Sequence, residues 1–210
     1  MPGLLQRDLL RSVLACYEQA DKHVKRYPPT EAMTLRGHVR RADIEVDLRN
    51  VAAKYFGAEA TAQPNRTGST YHSVVVIGAV KLTQSKLPNT RRMVKPSAFR
   101  EEYAANGDQY LLKFMENPRR KKVVTIGGAR DYLFAVLIHG CSRKNKARPY
   151  FVRFAFPNKE CTRWLHQIDL MKRFTDVVTQ FYAPITAAEN EQLRVRLKKN
   201  IKRGGKEKQA

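Results

Sequence analysis

The chain has 210 residues, 42% of them apolar, and a formal net charge of +21. That length and composition fit one core with a tail, and no apolar run reaches the roughly 18 residues of a membrane-spanning helix. Three cysteines, Cys16, Cys141 and Cys161, are too few and odd in number for a disulfide framework, and the N-terminus carries no basic stretch followed by an apolar one. The expectation is therefore a cytoplasmic protein, nucleoid association included, with no membrane partner.

Residues 4–26 place Leu5, Leu9, Val13, Cys16, Ala20 and Val24 at three- and four-residue intervals, the stripe of an amphipathic helix that Tyr27-Pro28-Pro29 ends. After a connection of some fourteen residues, Ile44, Leu48, Val51 and Tyr55 predict a second helix over 41–56, stopped by Gly57. The alternation in Asp43–Leu48 makes a short strand the competing reading there. Ala58–Tyr71 reads as a loop, because it is polar and broken by Pro64, Asn65, Gly68 and Ser69.

Strand signals follow. Val74–Ile77 and Val80–Thr83 are β-branched runs divided by Gly78, and Lys86–Pro96 is a basic loop. Ser97 opens a helix expected to run to Met115. Val123–Ile126, Asp131–Gly140 and Arg148–Phe156 then read as three strands of an antiparallel meander. Residues 132–138 are apolar on both faces, so that strand should be central and covered by helices. Leu165, Ile168, Met171, Phe174, Val178 and Phe181 return to helical spacing between Cys161 and Phe181. Thr186 and Glu189 form a capping box that starts a last helix, with Gly204-Gly205 behind it. The fold class is α+β: an antiparallel sheet of about five strands flanked by N-terminal and C-terminal helices. Residues 1–184 form one domain, helical over 1–57 and sheet-containing over 71–184, and 185–210 form a basic helix and tail.

The charge is concentrated. Arg36–Arg41, Arg91–Lys95, Arg119–Lys122, Arg143–Arg148 and Arg194–Lys208 hold twenty-two of the forty basic residues and a single acid, Glu207. Clustered cations on an otherwise balanced chain suit a polyanion, because each neutralised phosphate releases condensed counterions. In a meander with the Gly127-Gly128 turn at one end, Arg119, Arg120, Lys121 and Lys122 enter at the other end, beside Arg143, Lys144, Lys146 and Arg148. Those eight form the expected central site. Arg91, Arg92 and Lys95 add to it, and Arg194, Arg196, Lys198, Lys199, Lys202 and Arg203 clamp from the C-terminal helix. The function expected is non-catalytic binding of nucleic acid through its phosphates. DNA is preferred over RNA because no RNA-module signature is present.

Three chemistries compete with plain binding. Gln84-Ser85-Lys86 follows a strand and fits a Q-x-K variant of the restriction-type nuclease motif, which would make the chain a Mg²⁺-dependent nuclease. No acid lies on the preceding strand, however, and the nearest upstream carboxylates are Glu18, Asp43, Glu45 and Asp47. His139, Cys141, Cys161 and His166 could offer zinc ligands, but their spacing matches no zinc knuckle, so neither metal nor other cofactor is expected. Lastly, an adaptor or inhibitor could use the same cations to meet an acidic protein. Tyr150, Phe151, Phe154 and Phe156 could stack on bases if exposed, though core packing is the expected role.

Overall fold

The prolines after the first helix start a helix as well as ending one. The computed structural model describes residues 3–65, 68–95, 97–105, 132–141 and 146–183. Helix α1 spans Gly3–Val24 and α2 spans Pro29–Ala52, so four residues rather than fourteen separate them. Pro28 sits at φ −54°, ψ 154° ahead of α2, and Pro29 takes the first helical position, where its missing N–H costs no hydrogen bond. Ala32, Leu35 and Val39 are spaced as on a helix, but they are small or isolated among Thr, Arg, His and Gly37 and follow two prolines, which is why the first half of α2 reads as connection. Its second half follows the expected Ile44, Leu48 and Val51 line, all three buried, but the helix ends at Ala52 rather than at 56, and turns over 53–57 lead to β1 with Gly57 at φ +74°.

Six strands form one sheet in the order β1-β2-β3-β4-β5-β6, with spans Ala58–Pro64, Tyr71–Ile77, Val80–Lys86, Leu133–Gly140, Phe151–Pro157 and Trp164–Asp169. The α+β class is as the sequence indicates, but two of these six strands, β1 and β6, were not expected, and the strand expected over 123–126 lies outside the described residues. The first, β1, is antiparallel to β2 over Ala58↔Ile77 to Pro64↔Tyr71 where a loop was expected. It lies at the sheet edge and carries Ala-Glu-Ala-Thr-Ala-Gln-Pro, an alternation built on small alanines with no large β-branched or aromatic residue to mark a strand, and its proline is at an edge as strand prolines must be. The β2–β3 hairpin turns on Gly78-Ala79, and Gly78 at φ +57° supplies the conformation that turn needs.

Strand β4 corrects the expected meander. It runs parallel to β3 on one side, from Val80↔Leu133 to Lys86↔His139, and antiparallel to β5 on the other. Both of its edges are thereby taken by β3 and β5; residues 123–126 lie outside the described residues. All eight residues of β4 are buried, as a centrally placed strand requires. Phe134, Val136 and Ile138 join Leu87, Val94, Ala104, Phe151, Ala155 and Cys161 in a cluster on the face covered by helix α3 (Ala98–Ala104). His139, on the alternate side, meets Tyr17 of α1. Each large aliphatic or aromatic side chain so covered contributes about 1.5–3 kcal/mol. The stretch expected to be helical from Cys161 is instead β6 up to Asp169, paired with β5, and then two short helices, α4 (Leu170–Arg173) and α5 (Thr175–Tyr182). Asn158 enforces this: its Oδ1 accepts from the amides of Thr162 at 2.8 Å and Arg163 at 2.9 Å, turning the chain back on β5.

Contacts divide the chain into two compact units, Met1–Val178 and Thr179–Ala210. The described part of the second is the end of α5 and Ala183. No helix among the described residues is long and apolar enough to cross a membrane. The continuation of the Ser97 helix to Met115 and the helix expected after Thr186 lie outside the described residues.

Candidate nucleic-acid interface

Because β3 and β4 are parallel, the loops that leave their C-terminal ends emerge at the same end of the sheet. There a cleft of about 360 Å³ opens between α2 on one face and the start of α3 on the other. Helix α2 contributes Gly37, Arg41 and Glu45. Strands β2 and β3 contribute His72, Gln84 and Lys86, and α3 contributes Phe99 and Arg100. Arg41 and Lys86 are exposed, Arg100 is partly covered, and Glu45 is buried. Arg100 Nη1 is steadied by the backbone carbonyl of Lys95 at 2.7 Å.

Beneath the cleft runs a chain of buried hydrogen bonds. Gln84 Nε2 donates to Glu45 Oε1 at 2.7 Å, and the Ser73 amide donates to Glu45 Oε2 at 2.6 Å. His139 Nε2 lies 3.0 Å from Gln84 Oε1, and His139 Nδ1 lies 2.9 Å from the Tyr17 hydroxyl. A carboxylate only accepts, so the Gln84 amide must turn its nitrogen to Glu45 and its oxygen to His139. His139 then donates from Nε2 and accepts the Tyr17 proton at Nδ1. Full burial, with Arg40 and Lys86 adding positive field, pushes the His139 pKa down to about 3, so the neutral tautomer this chain needs is the one present. Ser73 completes the anchor: its Oγ donates to the Glu45 carbonyl at 2.7 Å and accepts from Arg49 Nη1 at 2.5 Å.

His72 differs from these groups. Its ring stacks on Phe99 with centroids 4.0 Å apart, and both of its nitrogens are buried without a hydrogen-bond partner among the described residues. Burial holds its pKa below the ordinary histidine value; Arg100 and Arg41 push the same way and Glu45 opposes them. Arg100 Nε is likewise buried and unpartnered among the described residues. The cleft therefore combines three guanidinium or ammonium groups, an uncharged imidazole and one inward-facing carboxylate.

The cations singled out in the sequence fall into three groups. Arg91, Arg92 and Lys95 sit exposed on the loop after β3, tied down where Trp164 Nε1 donates to the Arg92 carbonyl at 3.1 Å. Lys146 and Arg148 sit exposed on the connection from β4 to β5, at the same end of the sheet. Arg119, Arg120, Lys121, Lys122, Arg143, Lys144, Arg194, Arg196, Lys198, Lys199, Lys202 and Arg203 lie outside the described residues. The Arg36–Arg41 run, however, is divided by the fold. Arg36 pairs with Asp21 at 3.1 Å, and Arg40 is buried over the Tyr17 ring, 3.8 Å from its centroid, with Nη2 donating to the Lys146 carbonyl at 2.6 Å. Only Arg41 of the three reaches the cleft.

Sequence reasoning found Gln84 and Lys86 by their motif and named Glu45 among four upstream acids. It missed His72 and Arg100, which carry no local signal: their meeting depends on α3 crossing the end of β2. The aromatic residues behave as expected of a core, with Phe151, Phe154 and Phe156 buried, whereas Tyr150 is 76% exposed. Both nitrogens of His139 are engaged by side chains, and among the described residues no three His, Cys, Asp or Glu are grouped to hold a metal. No family model, curated protein or solved structure matches this chain.

Proposed function

We propose that this protein binds nucleic acid through its phosphate groups, DNA ahead of RNA, with the cleft at the end of the sheet as the central contact. The observation that carries the reading is the convergence of Arg41, Lys86 and Arg100 from three different elements around one cleft with a single carboxylate. That carboxylate is turned inward to Gln84 and Ser73, which leaves the cationic groups to set the field outside. The exposed cations Arg91, Arg92, Lys95, Lys146 and Arg148 extend the positive surface at the same end of the sheet. The runs at 119–122, 143–144 and 194–203 join the proposal on their sequence alone. Charges within a Debye length of about 8 Å reinforce each other, so grouping of this kind favours a polyanion over scattered small anions. The test is the salt dependence of binding to a short duplex. If about six phosphates are neutralised, log affinity falls against log salt with a slope near −5. A slope near zero, or recovery of a stable complex with an acidic protein and no nucleic acid, ends the reading.

One contact favours a second reading. Glu45 stands 2.7 Å from Gln84, so the fold delivers a carboxylate to the Q-x-K tripeptide, as a Mg²⁺-dependent nuclease of the restriction type needs. Ser73 occupies the place on β2 facing Glu45 where a second acid would be wanted. Labelled duplex and single strand incubated with Mg²⁺ or Mn²⁺ decide it. Cleavage lost in both Lys86→Ala and Glu45→Gln establishes the enzyme, and intact substrate retires it.

A further inference from the structure

The cleft's charge balance narrows what can occupy it. Among the described lining residues, Arg41, Lys86 and Arg100 bring three positive charges and Glu45 one negative, while His72 is uncharged near neutral pH, an excess of two positive charges. A phosphodiester within a strand has one negative charge and two free oxygens. A phosphomonoester at a strand end carries close to two negative charges at neutral pH and presents three strong acceptor oxygens. The unmet donors match the second better. One nitrogen of the neutral His72 ring carries a proton, and neither that donor nor Arg100 Nε has a partner among the described residues. Buried donors of this kind are unfavourable unless a ligand accepts from them. The cleft's volume, about 360 Å³, is that of a small-molecule pocket and suits one terminal nucleotide rather than a duplex.

We propose that the cleft receives the phosphorylated end of a nucleic-acid strand, its phosphomonoester held among Arg41, Lys86, Arg100 and His72. The inference rests on the nucleic-acid reading above, and it names the part of the polymer that this site takes. Lys86 and Arg41 meet the anion from the solvent side, where they can follow an incoming end. Arg100, held by the Lys95 carbonyl, and His72, held by its stack on Phe99, form the fixed wall. Prepositioned donors spend little entropy on binding, which favours discrimination between one anion and another.

The experiment uses the full chain and one short single-stranded DNA made in three forms, with a 5′-phosphate, a 3′-phosphate or hydroxyls at both ends. Fluorescence anisotropy is read at fixed salt. The expected result is about tenfold tighter binding of one phosphorylated form, as one or two added charge-assisted hydrogen bonds would give. Inorganic phosphate at millimolar concentration should compete away that advantage, bringing the phosphorylated form to the affinity that the hydroxyl form shows at the same phosphate concentration. Lys86→Met and Arg41→Gln, both at exposed positions that the fold does not depend on, should cut the advantage to about twofold or less. Equal affinity for all three forms, with binding itself intact, overturns this inference and leaves the proposed function standing. Failure of every form to bind overturns both.

Discussion

His139 Nε2 lies 3.0 Å from Gln84 Oε1, and this one bond joins the centre of the sheet to the cleft at its end. Through it, Tyr17 on α1 fixes the His139 tautomer, His139 fixes the Gln84 amide, and Gln84 holds the Glu45 carboxylate in place. Each donor in the sequence faces an acceptor, so the network is satisfied throughout, the condition under which buried polar groups stiffen a core rather than weaken it. Its consequence is that Glu45, the only acid lining the cleft among the described residues, points away from an incoming anion.

The state of His139 gives stability a pH dependence of known sign. Folded, it stays neutral down to about pH 3, whereas unfolded it takes up a proton near its ordinary value of 6.5. Below about pH 6.5 the unfolded chain therefore binds one more proton than the folded chain, and acid favours unfolding until about pH 3. Between pH 6.5 and pH 5 the loss is about 2 kcal/mol, at about 1.4 kcal/mol per pH unit. Urea unfolding at pH 7 and pH 5 measures it. His139→Gln keeps an amide in the network and removes the titration, so this variant should lose about 2 kcal/mol less than the native chain over the same interval. An identical loss in both proteins would place the acid sensitivity elsewhere.

Neighbouring arginines on α2 should separate stability from binding. Arg40 is 1% exposed, lies over Tyr17 and donates to the Lys146 carbonyl, so Arg40→Met removes a charged hydrogen bond and a cation–π contact from the interior. The expected cost is about 3 kcal/mol, with the salt slope of nucleic-acid binding unchanged. Arg41→Ala should do the reverse, leaving the urea midpoint within about 0.5 kcal/mol of the native value and making the slope shallower by about 0.9. Reduced slope in Arg40→Met would show that the buried guanidinium also reaches phosphate.

What the sequence revealed follows from which signals are local. Strand β4 was legible because seven consecutive apolar residues, 132–138, leave no polar face, and only a covered central strand tolerates that. Strand β1 was not, since its Ala-Glu-Ala-Thr-Ala-Gln alternation carries no large β-branched or aromatic residue and only pairing with β2 defines it. In β6, Leu165 and Ile168 are three apart and mimic a helix, and the Asn158 turn that decides the matter acts through backbone amides. The same division holds at the cleft. The Q-x-K tripeptide pointed to the end of β3, but the acid beside it lies thirty-nine positions earlier, on a helix whose first half reads as connection. A run of basic residues also conceals that Arg36 and Arg40 are used internally while Arg41 is not.

Thiol reactivity should distinguish the three cysteines. Burial drives the Cys16 thiol far above its ordinary range, with Asp47 adding to the effect, and burial also raises Cys161. Since the thiolate is the reactive form, neither should react while the protein is folded. Cys141 is only partly covered. A disulfide reagent at pH 8 is expected to titrate one thiol in the native protein and all three in urea. Rapid reaction of Cys16 in the folded chain would contradict the packing of α1 against α2.

Gly140 tests whether the cleft end of the sheet is as tightly built as its contacts indicate. It closes β4 beside Phe151 of β5, and its carbonyl accepts from the Tyr150 amide at 2.6 Å. A Cβ at this position would collide with the backbone carbonyl of Leu87 and approach the Phe151 ring to 2.8 Å. The Leu87 amide is itself bonded to the His139 carbonyl at 2.9 Å, so the backbone cannot give way without breaking the β3–β4 pairing just where Lys86 enters the cleft. Gly140→Ala is therefore expected to cost about 3 kcal/mol, at the upper end for an overpacked site. The urea midpoint reads the loss, with the slope of the transition unchanged. Because the strain falls on the end of β3, binding of a phosphorylated oligonucleotide should weaken even under conditions where the variant remains folded. A variant as stable as the native chain would mean that Leu87 and Phe151 are free to move, and that the end of β3 carrying Lys86 into the cleft is not rigidly held.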